Sequence, residues 1–358
     1  MANEKGLQTC NQVMYSIFVR NFNKEGTFDS LRGELKRIWA MGVDVVCLLP
    51  VFPAGKDPYD VQDQTSVDPQ LGSMADFEAL VDGIHKYGMR CIMDVVITGT
   101  EADLEVLKQW AELVDGFRCV GAAAVPEEFW EAAKAAVEEV RPGCLWAAEA
   151  DAVDQFDLCC SSVAYDAFRA YLAGEGSLDA FAQAEMHECR HGTALCYLEK
   201  RDTPRSRKLI DDETAFLNWM SFHYFRKGMS LLYAGQEAEC VSFSDLTKKD
   251  PVNWAEGMNN IDLLYGLYCI KREPLIASGE YRVEALPGDG LLVTYTAENQ
   301  QLLGVFAVGG GPVTAQVQLP DGKYENMLDG DTVKVRGGML ECMGTPIILK
   351  AEEVCGNG

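Results

Sequence analysis

Apolar runs of four to eight residues recur through the first 272 positions of the chain, and most are followed by a stretch with helical apolar spacing. The runs are Val13–Val19, Asp44–Pro50, Arg90–Ile97, Gly116–Val120, Cys144–Glu149, Asp157–Val163, Ala194–Glu199 and Ser230–Tyr233. Strands alternating with amphipathic helices predict a parallel α/β architecture. Eight strands is the number that closes a (β/α)8 barrel, the TIM barrel. Ser30–Met41 carries Leu31, Leu35, Ile38 and Trp39 on one predicted face, and Met74–Tyr87 carries Phe77, Leu80, Val81 and Ile84. Both are expected as helices packed on the barrel. Beyond Arg272 the pattern shortens to period-two segments between Gly, Asp and Pro turns: Leu291–Tyr295, Leu302–Val308, Thr314–Leu319, Thr332–Val335 and Thr345–Leu349. Those segments predict a small antiparallel β-sandwich. The expected division is a barrel over 1–272 and a sandwich over 273–358. The 358 residues suit a barrel of roughly 250 residues with one small domain appended.

Several segments carry more than periodicity. They are Val13-Met14-Tyr15-Ser16-Ile17-Phe18-Val19-Arg20, Leu48-Leu49-Pro50-Val51-Phe52-Pro53, and Tyr59-Asp60-Val61-Gln62-Asp63 with Val67-Asp68-Pro69-Gln70-Leu71-Gly72 beyond it. Near the other end stand Gly228-Met229-Ser230-Leu231-Leu232-Tyr233-Ala234-Gly235-Gln236-Glu237 and Lys249-Asp250-Pro251-Val252-Asn253-Trp254. In order and spacing they resemble the α-amylase family of retaining glycoside hydrolases over nearly the whole chain.

The resemblance implies roles for particular positions, and the chain departs from several. In the family, Gly-Phe-Arg-x-Asp ends the fourth strand and its Asp is the nucleophile; here the segment reads Gly116-Phe117-Arg118-Cys119-Val120. Val120 can neither attack an anomeric carbon nor stabilise an oxocarbenium-like charge. Glu149 falls at the general acid/base position. The family's Asn-His-Asp after the seventh strand reads Lys200-Arg201-Asp202, so Asp202 keeps the transition-state-stabilising position and Arg201 replaces a histidine. In the third-strand motif Asp94 is kept, but Thr98 and Gly99 replace the Asn that helps hold calcium and the His that contacts sugar. Calcium takes six to eight oxygens, roughly, so no metal is expected. The family's insertion after the third strand is also missing: only Glu101–Leu113 precedes Val114-Asp115-Gly116, which predicts a shallower, wetter cleft. Tyr59, Asp60, Asp94, Arg118 and Arg201 are the substrate contacts the resemblance implies.

No neighbouring carboxylate replaces the lost one. Gly116, Arg118 and Val120 share one face of their strand and Cys119 points the other way. Asp115 precedes the strand, far from the carboxyl end where such barrels place active sites. A retaining mechanism needs two carboxyl groups roughly 5–5.5 Å apart, so Glu149 alone is insufficient. Each retained residue has a structural alternative. Arg118 with Asp94 reads better as an ion pair than as a substrate contact. Tyr59 is either a stacking platform or a loop anchor, and Glu149 a relic held by Arg201. Asp211-Asp212-Glu213 reads as a helix start before Thr214–Phe225. His85, His187, His191 and His223 match no ligand spacing and are expected at the surface.

Charge and cysteine narrow the field further. A formal net charge of −24 with no Lys/Arg run argues against nucleic acid and anionic membrane as partners. The thirteen cysteines are scattered without a CxxC pair, which reads as reduced thiols and argues against zinc. With an amino terminus lacking an apolar core, this predicts a cytoplasmic protein without cofactor. Three readings stay open: an inactive family member that binds α-glucan or malto-oligosaccharide or regulates; a residual hydrolase or transglycosylase on α-glucosidic bonds; and a structural subunit of an active relative.

Overall fold

The structure, a computed structural model, describes residues 9–151, 155–188, 194–257 and 259–351. Eight parallel strands close a barrel in sequence order: β1 (Val13–Ile17), β2 (Val45–Leu48), β3 (Arg90–Val96), β4 (Gly116–Val120), β5 (Leu145–Ala148), β6 (Leu158–Cys160), β7 (Ala194–Cys196) and β8 (Met229–Tyr233). Closure joins β1 to β8 with Tyr15 opposite Leu232. All eight predicted runs contain their strand, and several strands are shorter than the runs. Val13–Val19 yields strand only to Ile17 because a helical turn starts at Val19, and Asp157–Val163 is cut at Cys160 by a helix beginning at Ser162.

The predicted helix Ser30–Met41 is two helices, Phe28–Arg32 and Leu35–Ala40, parted at Gly33 and Glu34. Leu31, Leu35 and Ile38 are buried as expected, but Trp39 is 50% exposed, since the break resets the face of the second helix. Between β3 and β4 lies a single helix, Glu101–Ala111, with no excursion. Its start is a capping box: the Thr100 side chain accepts from Asp103 N and the Asp103 carboxylate accepts from Thr100 N. Trp110 on this helix is fully buried against Phe52 and Phe77, and its indole N–H donates to Gln64 O. The Gln64 side chain in turn bonds Val96 N and O at the end of β3. The β2 loop is thereby fastened over β3 where the family carries its insertion. Asp212 caps the helix Glu213–Phe225 through Ala215 N, so the acidic cluster is the helix start the sequence predicts.

The carboxyl-terminal part forms two antiparallel sheets. One has the order β16-β11-β10-β9, from β9 (Glu280–Leu286), β10 (Gly290–Ala297), β11 (Gln300–Phe306) and β16 (Ile347–Ala351). The other has β12-β15-β14-β13, from β12 (Val313–Gln316), β13 (Gly322–Glu325), β14 (Thr332–Arg336) and β15 (Met339–Cys342). Leu303, Val305, Val313, Ala315, Val335, Leu340 and Leu349 belong to one buried cluster in which residues of the two sheets meet. This unit is joined to the barrel by buried polar contacts: Asn218 bonds Ala307 N and Gly344 O, and Tyr281 donates to Glu185. No helix among the described residues is long and apolar enough to cross a membrane.

Candidate active site

The barrel mouth, at the carboxyl ends of the strands, is built around one buried pair. Asp94 on β3 and Arg118 on β4 stand opposite each other in the strand register and point into the barrel. Arg118 Nε lies 2.8 Å from Asp94 Oδ1 and Nη2 lies 2.7 Å from Oδ2, with both residues essentially inaccessible. This is the ion pair that the sequence favours over a substrate contact, in bidentate geometry. Cys47 on β2 adds a thiol 3.5 Å from Asp94 Oδ1. The sequence gave no sign of this thiol contact beyond its place on the neighbouring strand.

Tyr59, on the loop after β2, donates its hydroxyl to Asp94 Oδ2 at 2.6 Å. Burial, and then the Asp94 carboxylate, push the phenol well above its ordinary pKa, so it keeps its proton for that bond. The loop-anchor alternative for Tyr59 therefore describes what its hydroxyl does. The guanidinium carbon of Arg201 sits 3.9 Å from the centre of the Tyr59 ring. Arg201 comes from the segment after β7, and β7 and β2 are not neighbours in the barrel. The contact spans the mouth.

Arg201 also holds Glu149. Its Nη2 lies 2.6 Å from Glu149 Oε2, and Lys200 Nζ is 3.7 Å from Oε1. Glu149 follows β5 directly, and its backbone N–H donates to Cys119 O on β4 at 3.1 Å. Burial opposes the Arg201 charge, but the neighbouring Tyr59 and Glu149 outweigh it and raise its pKa above the usual arginine value. Lys200 makes a second, shorter contact to Asp202 Oδ1, so one ammonium bridges the two carboxylates retained from the catalytic positions. Burial alone would raise the Asp202 carboxyl; the bond from Lys200 and the charges of Lys200 and Arg201 prevail and hold it below its ordinary value. Glu149 Oε1 and Arg201 Nε are buried without a hydrogen-bond partner.

The structure thus brings together Tyr59, Asp94, Arg118, Glu149, Arg201 and Asp202, with Lys200 as the bridge. Val120, the last residue of β4, lies half-buried opposite Val96, one position beyond the carbonyl that receives Glu149 N–H. Asp60 lies exposed on the Tyr59 loop and takes no part in the cluster. Asp115 accepts from Cys91 N and contacts His85 at the opposite end of the barrel, as its place before β4 predicts.

The position associated with calcium is committed elsewhere. Thr98 N and Oγ1 both donate to Asp103 Oδ2 at 2.9 Å, within the cap of the helix that follows. Thr98 and Gly99 do not fit a calcium cage. Among the described residues, no group of three or more His, Cys, Asp or Glu side chains is arranged to hold a metal ion. The histidines need one correction. His85 and His187 are exposed and His191 lies outside the described residues, but His223 is fully buried, with Nε2 3.0 Å from Leu231 O. Its helix is apolar on nearly every side, with Trp219, Met220, Phe222, Tyr224 and Phe225 also buried, so no surface face exists for it.

Comparison with known proteins matches this geometry at both ends of the chain. The model described as "Alpha amylase, catalytic domain" matches residues 11–115, and "Bacterial Alpha amylase C-terminal domain" matches residues 282–349. Between them lies the half of the barrel that holds Val120, Glu149 and Asp202. The α-amylase MalA of Haloarcula japonica is 25% identical over an alignment covering 87% of this chain and 57% of MalA. The chain thus spans little more than half the length of that relative. The solved α-amylase of Lactobacillus plantarum superposes with a TM-score of 0.91 at 23% identity, over 97% of this chain and 100% of that one. The α-amylase of Geobacillus thermoleovorans, solved with acarbose, gives 0.81 at 18% identity over 95% of this chain and 98% of that one. With the closed barrel, the two-sheet domain and family matches at both ends, the chain belongs to the α-amylase family of glycoside hydrolases.

Proposed function

We propose that this chain binds α-glucans or malto-oligosaccharides without hydrolysing them. The observation that carries the proposal is the fate of Glu149: its carboxylate is bonded to Arg201 at 2.6 Å, and the neighbouring strand ends in Val120. Double displacement at an anomeric carbon requires a nucleophile and a separate proton donor facing it across roughly 5–5.5 Å. Here the nucleophile position offers only methyl groups, and the remaining acid position is occupied by a guanidinium and an ammonium. Lys200 further fills the space between Glu149 and Asp202, where a reacting sugar would need both carboxylates. The family's cleft supplies the ligand class, and the G. thermoleovorans relative was solved with acarbose.

Binding at the mouth takes an exchange: a sugar ring replaces the Arg201 guanidinium on the face of Tyr59. That competition makes the affinity weak. The same reading keeps residues 1–272 and 273–358 as two domains. It also places the protein in a reducing compartment such as the cytoplasm, a view supported by the free state of every described cysteine. Calorimetric titration with maltoheptaose, followed by chromatography of the recovered sugar, tests the function. Heat of binding with intact maltoheptaose is the expected result; shorter products would overturn it.

A further inference from the structure

Aromatic side chains gather at the other end of the barrel, away from the mouth. Among the described residues the exposed large aromatics are Trp39 at 50%, Tyr87 at 37%, Phe243 at 48% and Tyr265 at 52%. Three of these four lie along one stripe. Trp39 and Tyr87 have ring centroids 5.9 Å apart and planes inclined by 36°. Tyr265 and the half-buried Tyr268 are stacked at 6.2 Å and 28°. The Tyr268 ring lies directly over Gly42, three residues past Trp39, where a Cβ would come within 2.2 Å of it; Gly42 also has φ +79°. The two pairs therefore adjoin. Trp39 and Gly42 precede β2, Tyr87 precedes β3, and the Tyr268 hydroxyl bonds Asp44 just before β2, which fixes the stripe at the amino-terminal end of the strands.

Single exposed aromatics need no explanation, but a contiguous set marks an interaction surface. The fringe selects the partner. Arg272 lies beside Tyr268 and pairs with Asp44, and Lys36 and Lys86 are exposed on the two helices that carry Trp39 and lead to Tyr87. Anionic lipid or nucleic acid is repelled by a chain of net charge −24, and so is a second copy of the chain. A neutral ligand with flat apolar faces and a hydroxyl edge meets no such barrier. Pyranose rings have that shape: their C–H faces stack on Trp and Tyr, and their hydroxyls reach the charged fringe.

We propose that Tyr87, Trp39, Tyr268 and Tyr265 form a second α-glucan site, a platform for several consecutive glucose units outside the cleft. It rests on the function proposed above for its ligand class only. A platform of paired rings gains from each additional unit stacked, so it favours long chains over maltotriose.

Co-sedimentation of the full chain with granular starch tests it, using Trp39→Ala/Tyr265→Ala, two exposed positions whose replacement leaves the fold intact by circular dichroism. Losing two stacking contacts lowers granule affinity about tenfold, while calorimetric binding of maltotriose at the mouth is unchanged. Granule binding equal to wild type in the double variant overturns the platform and leaves the function standing. Granule binding lost instead in Tyr59→Ala places all binding at the mouth and also overturns it. Wild-type self-association that the double variant abolishes assigns the stripe to a second copy. Wild type that binds neither granules nor maltotriose refutes both proposals together.

Discussion

Arg201 Nη2 stands 2.6 Å from Glu149 Oε2, so the general acid/base position of the family is bonded to a cation that the family does not place there. The consequence is a second obstacle to catalysis, independent of Val120. An acid must release a proton to the leaving group and later take one from water. A carboxylate oxygen held by a guanidinium is not free to do either.

Restoring the nucleophile alone is therefore insufficient. Val120→Asp should leave release of nitrophenol from nitrophenyl maltooligosaccharides at background, because Arg201 and Lys200 still occupy the acid and the space beside it. Adding Arg201→His and Lys200→Asn should raise turnover well above either partial variant. Full activity in Val120→Asp alone would show that the cations at the mouth are no obstacle.

The Asp94–Arg118 pair is buried completely, and breaking it leaves an uncompensated charge. Asp94→Asn should cost about 3–5 kcal/mol of stability. Urea unfolding measures this directly, and a loss below about 1 kcal/mol would mean that Arg118 finds another partner or water.

His223 gives the stability a pH dependence of known sign. Burial, and then the nearby charges of Arg226 and Lys271, hold its pKa well below the usual histidine value, so the folded chain keeps it neutral. Unfolded, it titrates near about 6.5. Below that pH the unfolded chain binds more protons, so the contribution is complete above about 6.5 and falls on acidification, by up to about 1.4 kcal/mol per unit. His223→Gln keeps an N–H for Leu231 O and does not titrate. Its stability should fall less steeply than wild type between about pH 6.5 and 5, and parallel curves would contradict the buried neutral histidine.

Legibility from sequence followed distance along the chain and regularity. The barrel was readable because each strand is a short apolar run between helices, and the Asp94–Arg118 pair because both residues occupy inward positions on adjacent strands. The Tyr59–Arg201 contact was not readable, since it depends on two loops meeting across the mouth. The substitution of His and Asn by Arg201 and Lys200 was visible as a departure, but which carboxylates they would hold was not. Trp39 was misplaced because Gly33 and Glu34 break one apparent helix in two. His223 was misplaced because its polar side chain was weighed without the apolar neighbours that surround it. The strands β9, β13 and β15 went unpredicted for different reasons. β9 has a readable alternation of buried Tyr281 and Val283 with exposed neighbours, whereas β13, Gly-Lys-Tyr-Glu, has almost no apolar signal.

The central claim is that the mouth carries out no glycosidic cleavage. Wild type and Glu149→Gln, each incubated at high concentration with nitrophenyl α-maltotrioside, test it in one measurement. The account predicts the same background release from both proteins. Release by wild type that Glu149→Gln abolishes would show that Glu149 works as a catalytic acid despite Arg201, and would contradict it.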